Sequence, residues 1–196
     1  MGKRVMPILS VIGRSNTGKT TLLEKLIPIF RSRGLRIGTI KHHARDFDID
    51  KEGKDSYRHK KAGANIAMIT SPEKIALVED VGQDYPLAEL VKRYMRDIDL
   101  VITEGYKHEH MPKLEVYVHK EGQEPLAEED PDVIAIAADK PIEAHLPVFL
   151  RDDPGPIAEF IIEKLGLKKR VQGAKRQGQR SKERGTRLRE KVKGRR

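Results

Sequence analysis

Two observations predict a three-layer α/β fold with a mostly parallel sheet. Apolar, β-branched runs alternate with helically spaced apolar stripes through most of the chain. The first such unit reads strand, glycine-bearing turn, helix and strand within about 35 residues, a βαβ unit that joins parallel strands. The turn adds a third observation: Gly13-Arg14-Ser15-Asn16-Thr17-Gly18-Lys19-Thr20 matches G-x-x-x-x-G-K-[ST] at every fixed position. The fold class is therefore a phosphate-loop (P-loop) NTPase fold.

Each element has its own warrant. The run Ile8-Leu9-Ser10-Val11-Ile12 reads as a buried strand feeding the loop. Leu22, Leu23, Leu26, Ile27, Ile29 and Phe30 keep helical spacing after it, with Pro28 expected to kink or shorten that helix. Gly34 ends the unit, and residues 35–40 read as the second strand. Residues 41–55 are polar and without period, and a short helix is expected near Ser56–Ala62. Asn65–Thr70 and Lys74–Glu79, joined by Ser71-Pro72-Glu73, read as a hairpin. Leu87, Leu90, Val91 and Met95 mark a helix before a strand at Asp99–Thr103. Strands at Lys113–Val118, Val133–Ala137 and Pro147–Leu150 and a helix over Ile157–Leu165 complete the body.

Charge divides the chain in two. Residues 168–196 hold 14 of the 39 Lys and Arg but only Glu183 and Glu190 of the 30 acids, so the net charge of +9 is +12 from this tail and −3 from residues 1–167. The reading is a P-loop GTP-binding domain over 1–167 and a basic, disordered tail over 168–196 that makes non-specific polyanion contacts. With no cysteine, disulfides, thiolate metal sites and cysteine nucleophiles are excluded. No apolar run approaches the ~18 residues of a membrane span, so no membrane insertion is expected and the default location is cytoplasmic.

The loop motif carries the chemistry. Its backbone N–H groups and the following helix N-terminus converge on phosphate oxygens, which assigns Gly13, Ser15, Asn16, Thr17, Gly18, Lys19, Thr20 and Thr21 to phosphate binding. Lys19 supplies a cation for the β- and γ-phosphates, and the Thr20 hydroxyl a ligand for Mg²⁺. Glu104 ends an apolar strand at its carboxyl end, where such a fold holds a second Mg²⁺-directed acid. Asp48, Asp50, Gly53 and Asp55 read as a switch-like loop ordered around Mg²⁺ and γ-phosphate, while Asp55 or Ser56 reads equally as a helix cap. Asp139, after a late strand, reads either as an ordinary turn residue or as the acceptor for the N1–H and exocyclic amine of guanine, which sets the preference for GTP. The seven histidines read as exposed loop residues.

Gly13–Thr21, Ile40-Lys41-His42, Asp46-Phe47-Asp48-Ile49-Asp50, Gly53-Lys54-Asp55-Ser56, Ala62-Gly63-Ala64, Thr103-Glu104-Gly105-Tyr106-Lys107 and Pro112-Lys113-Leu114-Glu115-Val116 together resemble the molybdopterin-guanine dinucleotide biosynthesis accessory protein family, MobB, in order from about residue 7 to 166. The resemblance implies a GTP-binding, weakly hydrolysing homodimer. Its partner would be the molybdenum cofactor guanylyltransferase that attaches GMP to molybdopterin. The chain departs from the family at Ala44-Arg45, where paired histidines are common, and at Glu52, where proline is. The rival reading is a small-molecule or nucleoside kinase that uses the same loop with Arg45, Arg58, Lys60 or Lys61 in a lid.

Overall fold

The computed structural model describes residues 6–43 and 47–167. The elements in chain order are β1 (Ile8–Ile12), α1 (Lys19–Ser32), β2 (Ile37–Lys41), α2 (Asp55–Lys61), β3 (Ile66–Thr70), β4 (Ile75–Glu79), α3 (Leu87–Tyr94), β5 (Leu100–Glu104), β6 (Lys113–Tyr117), a 3₁₀ turn at Leu126–Glu128, β7 (Val133–Ala138), β8 (Val148–Leu150) and α4 (Pro154–Lys164). Six strands form one sheet in the order β2-β5-β1-β6-β7-β8, with every neighbour parallel. β1 lies between β5 and β6, where the strand order reverses, so its carboxyl end opens on the crevice in which α/β sheets bind ligands.

Alternation along the strands builds the layers. Leu9, Val11, Leu100, Ile102, Leu114 and Val116 face α1 and α4, joining Leu22, Leu26, Phe30, Ile157 and Ile161 in the main core. Val101 faces the opposite side, toward Leu87 and Val91 of α3. Tyr117, Ile136 and Ala138 face that side too, beneath the 3₁₀ turn and the segment after β7. Each fully buried Leu, Ile or Phe contributes about 1.5–3 kcal/mol, so both faces are stably covered.

Two local expectations fail, the shortening of α1 at Pro28 and the side-chain cap of α2. α1 is not shortened at Pro28 and runs on to Ser32. The bond that proline cannot make falls on the solvent side, where Glu24 and Pro28 are both exposed, while Leu26 and Phe30 on the other face are fully buried. Neither Asp55 nor Ser56 caps α2: Lys54 occupies the cap position without a side-chain bond, and Asp55 lies in the first turn, where a carboxylate favours the helix dipole.

β3 and β4 pair antiparallel as predicted, but as a separate two-stranded sheet that exposes Ile66, Met68, Ile69 and Ile75. Among the described residues no helix is long and apolar enough to cross a membrane. The tail predicted over 168–196 lies outside the described residues, as do Ala44, Arg45 and Asp46.

Candidate functional site

The turn after β1 is built by backbone geometry that only certain residues adopt. Gly13 has φ +145°, and a Cβ there would sit 2.4 Å from the Val116 carbonyl oxygen, so β6 presses against the loop and leaves room for glycine alone. Asn16 at φ 63° and Gly18 at φ 90° place two left-handed residues in the turn, which curls its N–H groups inward as an anion-binding concavity. α1 then begins at Lys19, and Leu22 N–H bonds to Gly18 O at 2.9 Å. The Thr17 hydroxyl donates to Arg14 O at 3.1 Å, bracing the loop from inside.

Lys19 folds back over this loop. Its ammonium donates to Gly13 O at 3.1 Å and Arg14 O at 2.7 Å. Burial holds its pKa below the usual lysine range; Glu104 opposes that shift, and the nearby charges of Lys107 and Lys41 add to it. The loop encloses a cavity of about 140 Å³ lined by Gly13, Ser15 and Lys19 from the loop, and by Lys41, Glu104 and Lys107 from the ends of β2 and β5. His42 and Gly105 complete the rim. His42 Nε2 lies 3.0 Å from Asp84 Oδ2, and its ring stacks at a tilt on Tyr106, 5.1 Å between centroids.

Of the residues predicted from sequence, Gly13, Ser15, Lys19 and Glu104 therefore meet at one cavity, and Asn16, Thr17, Gly18, Thr20 and Thr21 continue the loop into α1. Glu104 is the last residue of β5, paired with Val11 of β1, and its side chain is only 17% exposed. Of the two hard-oxygen donors read from the sequence, the kind Mg²⁺ takes together with phosphates and water, the Glu104 carboxylate lines this cavity, whereas Thr20 is exposed in the first turn of α1 and does not. No cluster of three or more His, Asp or Glu side chains with metal-binding geometry occurs among the described residues.

Asp48, Asp50, Gly53 and Asp55 do not line this cavity. Asp48, Gly53 and Asp55 are exposed, Asp50 Oδ1 accepts the Lys51 N–H at 2.8 Å, and Asp50 Oδ2 is occluded without a hydrogen-bond partner. Asp139 stands just past β7, away from the loop cavity, and accepts the His119 N–H at 2.9 Å. That backbone bond, foremost, keeps its carboxyl below the usual range, so it is a charged acceptor at neutral pH. A second cavity of about 530 Å³ lies at the carboxyl ends of β6 and β7, lined by His119, Lys120, Lys140 and Ile142 among others. Arg14, between Gly13 and Ser15 of the loop, donates from Nη2 to the carbonyl oxygen of Glu124, which lines this second cavity, at 3.4 Å.

Of the basic residues considered for a kinase lid, Arg58, Lys60 and Lys61 are held elsewhere, and Arg45 lies outside the described residues. Lys60 bonds to the Ala64 and Asn65 carbonyls and pairs with Asp80 at 2.5 Å, Arg58 lies near Asp55, and Lys61 lies over the Tyr57 ring.

Three site features were given no role from the sequence. Lys107 and Arg151 come from segments distant in sequence, and Arg151 Nη1 donates to Thr17 O at 2.9 Å. Glu115 is buried one strand from the loop and accepts the N–H groups of Leu126 at 2.8 Å and Ala127 at 2.9 Å. A carboxylate inside an apolar strand was the visible signal for Glu115.

Comparison with known proteins agrees with this geometry. The family model described as molybdopterin guanine dinucleotide synthesis protein B matches residues 8–139. The molybdopterin-guanine dinucleotide biosynthesis adapter protein of Escherichia coli is 39% identical over 168 residues, covering 83% of this chain and 95% of that protein. Its Haemophilus influenzae counterpart is 38% identical over 157 residues, covering 80% and 88%. A crystal structure of molybdopterin-guanine biosynthesis protein B superposes with a TM-score of 0.65 at 34% identity, covering 81% of this chain and 99% of the other. Bacillus subtilis MobB superposes with a TM-score of 0.67 at 28% identity, covering 82% and 98%. The chain thus has the P-loop α/β fold read from its motif and belongs to the molybdopterin guanine dinucleotide synthesis protein B family.

Proposed function

We propose that this chain is an adapter in molybdopterin guanine dinucleotide biosynthesis that binds GTP with Mg²⁺ at the phosphate loop, hydrolyses it weakly, and holds it for a partner guanylyltransferase. The observation that carries the nucleotide part is the complete loop closing on a cavity that Lys19 and Glu104 both line. The role in the pathway rests on the adapter proteins to which the chain is similar. Thr20 and Glu104 are the proposed Mg²⁺ ligands. Asp139 beside the 530 Å³ cavity is the proposed reader of guanine, since an ionised acceptor matches the paired donors of that base and no such pair exists on adenine.

The switch-like role of Asp48, Asp50, Gly53 and Asp55 is supported by the occluded Asp50 Oδ2, a buried acceptor that another ligand would satisfy. A homodimer is the proposed assembly. A two-stranded sheet is marginal alone, and the exposed apolar residues of β3 and β4 are suited to cover by a second copy. The setting is cytoplasmic.

The test is reconstitution with guanylyltransferase, molybdopterin and GTP, comparing dinucleotide yield with and without this chain. A higher yield with the chain, together with calorimetric preference for GTP over ATP in Mg²⁺, is expected. Dinucleotide formed by the chain alone, or no effect on yield and no binding to the transferase in any nucleotide state, would remove the adapter role. Sedimentation of Ile75→Glu tests the assembly: a monomer is expected where the unaltered chain is a dimer.

A further inference from the structure

β2 and β5 end together. Lys41 pairs in register with Glu104, the His42 N–H donates to Glu104 O at 2.9 Å, and Gly105 packs so closely that a Cβ there would lie 2.6 Å from the His42 carbonyl oxygen. Residues directly paired across a sheet project to the same face, so both side chains leave this clamp toward the loop cavity, which both line. The contact between them is loose. Lys41 Nζ stands 3.6 Å from Glu104 Oε1, against the 2.7–2.9 Å of a tight charge-assisted bond, and Lys41 is 62% exposed. An ion pair of that kind is easily exchanged.

Charge in the cavity is unbalanced. Lys19, Lys41 and Lys107 oppose Glu104 alone, a net charge of +2 that a polyphosphate would neutralise. Direction along the sheet gives Lys41 its place on the ligand. If the base sits beside Asp139 just past β7, as proposed above, a phosphate chain running on past β1 would place its terminal phosphate nearest the ends of β5 and β2, given the strand order β2-β5-β1-β6-β7-β8.

We infer that Lys41 is a γ-phosphate ligand held in reserve, paired with Glu104 before nucleotide binds and passed to the terminal phosphate when that carboxylate turns to Mg²⁺. The inference rests on the nucleotide reading above and adds to it a residue that discriminates triphosphate from diphosphate. Glu104 then has two roles in sequence, keeper of the lysine and metal ligand, and the nucleotide triggers the change.

The experiment is calorimetry of GDP and a non-hydrolysable GTP analogue, each with and without Mg²⁺, on the full chain and on Lys41→Gln, Lys41→Arg and Glu104→Gln, with circular dichroism to establish folding. Lys41→Gln should lose about tenfold in analogue affinity with Mg²⁺ while GDP affinity changes by less than about twofold, and Lys41→Arg should recover most of the loss. Glu104→Gln should bind the analogue more tightly without metal, because the lysine is released, and should gain less from Mg²⁺. A folded Lys41→Gln with an unchanged GTP-to-GDP ratio overturns the inference, as does a Glu104→Gln variant with no metal-free gain. If the unaltered chain binds neither nucleotide, the nucleotide reading falls and takes this inference with it; a flat ratio in a chain that binds both removes the lysine's role alone.

Discussion

Arg151 donates from Nη1 to the Thr17 carbonyl oxygen at 2.9 Å, across 134 positions of sequence, so the turn between β8 and α4 supports the phosphate loop from behind. The bond leaves the loop's N–H groups facing the ligand side, because it engages a carbonyl. Arg151→Met keeps the aliphatic stem and removes the donor. A hydrogen bond from a charged group is worth about 1.5–3 kcal/mol, less at this half-exposed site. GTP affinity measured by calorimetry is expected to fall roughly threefold to tenfold, with the thermal midpoint nearly unchanged.

Lys19→Ala is expected to be more damaging. It removes the cation over the loop, and a loss of about 1.5–3 kcal/mol corresponds to roughly tenfold to a hundredfold in GTP affinity. Circular dichroism should report an intact fold. Unchanged affinity in a folded variant would discard the loop as a nucleotide site.

Gly105→Ala and Gly53→Ala form a controlled pair. Both glycines have positive φ, +106° and +82°, but a Cβ at Gly105 meets the His42 carbonyl oxygen at 2.6 Å, whereas one at Gly53 meets nothing within 4 Å. Gly53→Ala should carry only the left-handed penalty of about 1–2 kcal/mol. Gly105→Ala adds a backbone clash and should cost more in urea unfolding; equal costs would mean that the clamp between β2 and β5 yields easily.

Glu115 gives a pH dependence of definite sign. Burial, above all, raises its pKa, against the partial offset of the Leu126 and Ala127 N–H groups. The folded chain therefore holds this proton more tightly than the unfolded one, and Glu115 ionisation costs stability as pH rises from about 4.3 through the raised value. Glu115→Gln leaves one of the two N–H groups facing an amide nitrogen, an expected loss of about 1–3 kcal/mol. In thermal unfolding followed against pH, the variant should also lack the Glu115 part of that decline.

A chain ending at Leu167 should bind GTP as the full chain does, because the main core closes with Leu167. What it should lose is salt-sensitive attraction to polyanions, since 14 basic residues lie beyond that point. Nucleic-acid retention measured at low and high salt separates the two chains. A large drop in GTP affinity on truncation would show that the tail acts at the site.

Legibility in the sequence followed the range of the interaction. β1, the loop and α1 are contiguous, so the motif and apolar spacing located them to within a residue or so, and Glu104 was found because a carboxylate ending an apolar run is visible locally. The sheet order was not legible, because periodicity does not tell which strands flank β1. That is why Arg151 escaped the site, and why Lys41 and Lys107 entered only through a resemblance. The failures at Pro28 and Asp55 are of another kind: intrinsic preference favoured a break and a cap, but burial of Leu26 and Phe30 outweighed the first, and solvent exposure of Asp55 left the second optional.

The position of β1 between β5 and β6 sets a timetable for the nascent chain. Its pairing partners are residues 101–104 and 113–115, and the carbonyl that presses on Gly13 belongs to Val116. At about 5–20 residues per second, the ribosome needs roughly 5–20 s to deliver those partners after the first strand emerges. Throughout that interval Ile8–Ile12 is a β-prone apolar segment with both edges open, a natural client for a chaperone and a hazard for aggregation. A ribosome stalled before residue 101 therefore holds the whole phosphate motif but neither of the strands that flank β1.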